Sequence, residues 1–168
     1  MRGAVMIGGT GMLAEAARAI ARRAERLTLI ARSPQDLARE IGVEALPMDW
    51  TRRESVREAL AALRERDAPD LLVSWIHGSG LWCLPEFEAL LASGARSIRV
   101  HGSAAGDPRH GIKTDPAPPA HVLRQDVVLG WVDEPRGRRW LTDREISQGV
   151  LKAVGDPSLR ASIVGSLR

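Results

Sequence analysis

Side chains able to hold a charged ligand or move a proton stand at the ends of short apolar runs in this chain. The first run, Ala4 to Ile7, breaks into Gly8-Gly9-Thr10-Gly11 and passes through Met12 and Leu13 into a helical pattern. Strand, glycine turn and helix is the arrangement that cradles a diphosphate. Glycine permits the tight turn and keeps a Cβ out of the ligand's path. The helix start adds backbone N–H donors and the positive end of its dipole. The reading is a dinucleotide site, with contacts from Gly8, Gly9, Thr10, Gly11, Met12 and Leu13.

The second run, Leu27 to Ala31, ends in Arg32-Ser33. A site for NAD(H) places Asp or Glu about 20 residues past the glycines, to accept from the ribose hydroxyls. No acid stands there. A guanidinium beside a hydroxyl suits a 2′-phosphate, so NADP(H) is favoured over NAD(H). Ser33-Pro34 also reads as a helix cap with proline at the first helical position. Asp49, just past the third run, can accept from an adenine amino group, and Trp50 follows it. The fourth run ends in Trp75-Ile76-His77, expected to line the ribose and nicotinamide side. Trp82, beside the next glycine loop, is the tryptophan best placed to cover a ligand. The fifth run ends in His101-Gly102-Ser103. His77, His101, Cys83 and Asp107 have the residue types but not the spacing of a zinc site, so no metal is expected.

Apolar periodicity supplies the scaffold. Met12, Leu13, Ala16, Ala17, Ile20, Ala21 and Ala24 form one helical stripe between Met12 and Arg26. Leu27–Ala31 and Asp70–Ile76 read as buried strands, and Val43–Met48 and Ser97–His101 as further strands. Helices are expected over Pro34–Ile41, stopped by Gly42, and from the capping box Thr51-Arg52-Arg53-Glu54 to about Arg66. A further helix is expected over Pro85–Ser93. The stretch from about 105 to 124 carries Pro108, Pro116, Pro118 and Pro119 and is expected to be an irregular loop. Val127–Val132 reads as a sixth strand, Asp133–Gly137 as a turn, and Arg138–Leu141 as a short pairing segment. A second capping box, Thr142-Asp143-Arg144-Glu145, opens a helix stopped at Gly155. The tail from Asp156 shows no settled pattern. Alternating strands and helices define an α/β class: a doubly wound, mostly parallel Rossmann sheet with helices on both faces, as one domain over 1–168.

With 168 residues, 44% of them hydrophobic, the chain can bury one core. No apolar run is long enough to cross a bilayer, and the glycine turn interrupts any secretory leader pattern. A single cysteine excludes an internal disulfide framework and fits a reducing compartment, so a cytoplasmic location is expected. The net charge of +3 is spread over helical faces, and no basic stripe is interleaved with aromatics. Nucleic acid and membrane are therefore not expected partners.

The chain resembles a compact, divergent short-chain dehydrogenase/reductase. The resemblance lies in Gly8-Gly9-Thr10-Gly11-Met12-Leu13-Ala14, in Asp49 at the adenine position, and in Ser74-Trp75-Ile76-His77-Gly78 where the family has an Asn-Asn-Ala-Gly segment. Ser103 matches the place of its catalytic serine. The family pairs that serine with Tyr and, four residues on, Lys on a helix after the fifth strand. This sequence has no tyrosine, and neither Lys113 nor Lys152 sits on a suitable helix. The resemblance thus implies hydride transfer with another proton donor, His77, His101 or Lys113, aided by Ser103. It also implies homo-oligomers that pair through helices. Two functions follow: an NADP(H)-dependent oxidoreductase acting on a small carbonyl, or a non-catalytic NADP(H)-binding sensor or partner-binding module.

Overall fold

The first strand shows how the fold is built. In β1 (Gly3–Ile7) every residue is buried, and the side chains alternate between two cores. Ala4 and Met6 join one cluster, while Val5 and Ile7 join the other. A strand with water on neither side must be central and covered by helices on both faces. The computed structural model of the protein describes residues 1–76, 78–110, 112 and 116–167. Within them β1 pairs in parallel with β2 (Arg26–Ala31) and with β4 (Leu71–Ser74). Beyond β2 lies β3 (Glu44–Pro47). Beyond β4 come β5 (Arg96–His101), β6 (Leu123–Leu129) and β9 (Ala161–Val164). The sheet order is β3-β2-β1-β4-β5-β6-β9, and every pairing is parallel. This is the doubly wound architecture expected from the sequence.

One face carries α1 (Ala14–Ala21), α2 (Gln35–Ile41) and α5 (Asp143–Gly155). Their small and branched residues, among them Ala16, Ala17, Ile20, Ala38, Val150 and Ala153, pack on Met6, Leu29 and Ile98. The other face carries α3 (Arg53–Arg64) and α4 (Leu84–Glu88), through Val56, Leu60, Leu63 and Phe87. Between β6 and α5 stands an antiparallel hairpin, β7 (Trp131–Glu134) and β8 (Gly137–Trp140). Its two tryptophans meet edge to face, with ring centres 5.1 Å apart. The capping box at α5 forms as expected: Thr142 accepts from the Glu145 N–H, and the Glu145 carboxylate accepts from the Thr142 N–H at 2.8 Å.

Several expectations are corrected. The α1 helix is shorter than Met12–Arg26. Its start is delayed by a turn in which the Ala14 N–H reaches Gly11, and its end is closed by Arg23 and Ala24 N–H groups turning to Ile20. Thr51 caps no helix. Its hydroxyl and N–H both go to the Asp49 carboxylate, at 2.7 and 2.9 Å, a local turn that competes with capping, and Arg52 takes the N-cap place. Ser33 makes no cap bond either, because Pro34 occupies that position. The helix expected to reach Ser93 ends at Glu88. From there the Ala92 N–H turns to Pro69 and Gly94, at φ 77°, donates to His121. The strand read as Val127–Val132 is two strands. At Gly130 a Cβ would overlap the Ser166 carbonyl, so the chain turns out of the sheet, and Trp131 and Ser166 exchange N–H···O bonds of 2.9 and 2.8 Å. The unsettled tail supplies β9, the seventh strand of the sheet.

Candidate functional site

The chain order reverses between β1 and β4, and the crevice outside their carboxyl ends is where open α/β sheets take ligands. Two backbones meet there. Gly8, at φ 81°, passes so close to β4 that a Cβ would lie 2.8 Å from the Trp75 carbonyl oxygen. Gly8 donates to Ile30 at 2.9 Å, which fixes the turn to β2 as well. Gly9 is buried, and a Cβ there would press on Met6 at 2.9 Å. Gly11 differs: a Cβ there would meet nothing within 4 Å. Packing therefore explains the first two glycines. It does not explain the third, which faces open space.

That space is a cleft of about 590 Å³. Its floor is Gly8, Thr10 and Gly11, its far end is Ala31, Arg32 and Ser33, and the indoles of Trp50 and Trp75 wall it. The size falls within the range of small-molecule and cofactor sites. Arg32 and Ser33 are exposed there, and the glycine turn and the start of α1 border the same cleft. Asp49 is engaged by Thr51, whose hydroxyl and N–H hold its carboxyl below the usual range, with Arg32 nearby adding to the effect. Met12 is partly buried, whereas Leu13 and Ile76 are buried in the two cores, so their side chains do not face the cleft. His77 and Lys113 lie outside the described residues. Trp82 packs under the Arg53 guanidinium, 4.4 Å from its ring centre.

Farther along the same edge, β5 ends at His101, and Ser103 opens a short 3-10 turn over Ser103–Ala105. Behind them one face of β5 is polar and the other apolar. Ser97, Arg99 and His101 alternate with Ile98 and Val100. Arg99 and Glu88, 1% and 0% exposed, form a two-pronged ion pair at 2.9 and 2.6 Å. Ser97 donates to the same carboxylate at 2.6 Å, and Arg99 donates onward to the Pro116 carbonyl. His101 Nε2 lies 2.8 Å from Asp126, which also accepts from Arg124. Burial pushes the Asp126 carboxyl up, but the His101 hydrogen bond and the Arg124 charge outweigh it and leave the group below its ordinary range. Burial pushes the Cys83 thiol up to about 11, and its S–H points at the Gly80 carbonyl. Among the described residues no three of His, Cys, Asp and Glu gather into a metal-binding group, and no helix is long and apolar enough to cross a membrane.

Sequence reasoning brought together Gly8, Thr10, Gly11, Arg32, Ser33, Trp50 and Trp75, and these do share one cleft. It missed Glu88, Arg99 and Asp126. A signal was present: an arginine and a histidine alternating with Ile98 and Val100 in a central strand must find partners.

No protein-family model matches the chain, and no curated sequence matches it. Solved structures do. A short-chain dehydrogenase/reductase from Serratia marcescens is 15% identical, with a TM-score of 0.69 over 99% of this chain and 98% of that one. A short-chain dehydrogenase from Sphingobium yanoikuyae, solved in complex with NADPH, is 18% identical, with a TM-score of 0.64 over 97% and 87%. An enoyl-(acyl-carrier-protein) reductase from Anaplasma phagocytophilum, solved with NAD, is 14% identical, with a TM-score of 0.67 over 96% and 89%. The chain thus has the Rossmann fold of short-chain dehydrogenase/reductases.

Proposed function

We propose that this protein binds NADP(H) in the cleft between Trp50 and Trp75 and reduces a small carbonyl compound there. The observation that carries the reading is Gly11, a glycine with nothing within 4 Å of its Cβ position, on the floor of that cleft. The turn amides would hold the diphosphate, and Arg32 with Ser33 the 2′-phosphate. The bound cofactor would supply a hydride. Ser103 would hold the carbonyl oxygen by its hydroxyl. An imidazole would give that oxygen its proton, and the 2.8 Å contact with Asp126, which orients the ring, favours His101. The sequence put His77 first among the donors, and it stands as the alternative to His101. The test is NADPH consumption across a panel of aldehydes and ketones, with Ser103→Ala and His101→Asn each reducing turnover by about 100-fold.

One observation supports a non-catalytic alternative. The sequence has no tyrosine, and the described residues between β5 and β6 form only two three-residue 3-10 turns, Ser103–Ala105 and Pro108–His110, where the resemblance calls for a catalytic helix. Tight NADPH binding without turnover on any carbonyl would favour a sensor or partner-binding module.

A further inference from the structure

We infer that Ser147 is a positioning residue for the dinucleotide turn, acting as an N-cap supplied from another helix. The inference rests on the proposal that the cleft binds a dinucleotide.

The N-terminus of α1 has no side-chain cap of its own. Its cap position is Leu13, which carries no acceptor and is fully buried in the core. A helix start leaves its first N–H groups without intrahelical partners, and a Ser, Thr, Asp or Asn at the cap position usually accepts from the second or third. Here the third helical N–H, that of Ala16, donates at 3.1 Å to the hydroxyl of Ser147, a buried residue of α5. The same hydroxyl donates at 3.2 Å to the carbonyl of Met12, the residue that follows Gly11. One side chain therefore satisfies a donor of α1 and an acceptor of the turn before it, from 131 and 135 residues away in the chain.

The arrangement has a physical rationale. A local cap would place a polar side chain at residue 13, where the fold buries an apolar one. Supplying the cap from α5 leaves the outer side of Gly11 open to the cleft while the inner side of the turn is fastened. The turn is then held in its ligand-ready shape before a ligand arrives, which lowers the ordering cost of binding. Two contacts keep α5 close enough to reach. Gly149 is packed so tightly that a Cβ would overlap Val164 of β9, and Arg96 donates to the Ala153 and Val154 carbonyls at 3.1 and 2.9 Å.

The test is Ser147→Ala, read by two ligands and by thermal melting. Alanine is the better helix former, so α5 persists and the change is confined to the cap. NADPH engages the turn, whereas adenosine 2′-monophosphate engages only the Arg32 end. NADPH binding is expected to weaken about fivefold, the size of a lost N-cap charged to binding, while adenosine 2′-monophosphate is held within twofold of the wild type. Ser147→Cys, which keeps the volume but hydrogen-bonds weakly, is expected to behave the same way. Equal NADPH affinity in both variants and the wild type would overturn the inference, and so would equal losses for both ligands. A folded wild type that binds neither ligand would overturn the dinucleotide reading itself.

Discussion

Gly8 and Gly11 stand three residues apart in one turn, and adding a methyl group to each should do opposite things. At Gly8 alanine would have to adopt φ 81°, and its Cβ would sit 2.8 Å from a backbone oxygen that cannot swing away. The left-handed conformation costs an L-residue about 1–2 kcal/mol, and displacing Trp75 adds to it, so Gly8→Ala should lose at least about 2 kcal/mol of folding stability. At Gly11 the added methyl meets nothing within 4 Å, and the φ there is not positive. Removing glycine's freedom from the unfolded chain should leave stability unchanged or raise it by up to about 1 kcal/mol. The methyl stands on the cleft floor, however, where the account puts a diphosphate. Overpacking of about 1–3 kcal/mol corresponds to a loss of about 5- to 150-fold in NADPH affinity. Urea denaturation and an NADPH titration on the same samples separate the two quantities. If Gly11→Ala binds NADPH within twofold of the wild type, or loses more than about 2 kcal/mol of stability, the reasoning about the cleft is refuted.

Three further outcomes follow from the geometry. Glu88→Gln leaves the buried Arg99 guanidinium without its counter-charge and should cost about 3–5 kcal/mol in urea denaturation; a loss below about 1 kcal/mol would show that the pair is not solvent-excluded. Arg139 and the Thr142 N–H hold the Glu145 carboxyl at about 2 against an ordinary 4.5. Because the folded value is depressed, this contribution is full above pH 4.5 and disappears as pH falls through about 2. Glu145→Gln should therefore flatten the stability profile in that window and not above it, as thermal melts against pH will show. The Cys83 thiol, buried and raised to about 11, should resist a disulfide reagent at pH 8 until urea unfolds the chain; rapid labelling of the native protein would contradict its burial.

The parts of this fold legible in the sequence are those fixed by neighbours along the chain. The strand and glycine turn around Gly8–Gly11, the Gly42 stop and the Thr142–Glu145 box are all local, and they formed as read, although the helix after the turn is shorter. The doubly wound, parallel class of the sheet followed from the alternation of strands with helices. What was illegible depends on distant partners. The Val127–Val132 run is continuous in hydrophobicity, yet Ser166 decides that it breaks at Gly130. Thr51 had the right spacing for a cap and lost it to Asp49, two residues away. In the site, Arg32, Ser33 and both cleft tryptophans were readable because each lies within three residues of a strand's end. Glu88 and Ser147 were not, since their partners lie on other elements and no spacing rule links them.

Whether the cleft holds a 2′-phosphorylated dinucleotide is decided at Arg32. Titrating NADPH and NADH into the wild type and Arg32→Asp, followed by tryptophan fluorescence from Trp50 and Trp75, reads the cleft itself. NADPH should bind the wild type more tightly than NADH. The variant should lose about tenfold or more for NADPH while holding or improving NADH. Equal affinities for the two cofactors, before and after the substitution, would contradict it.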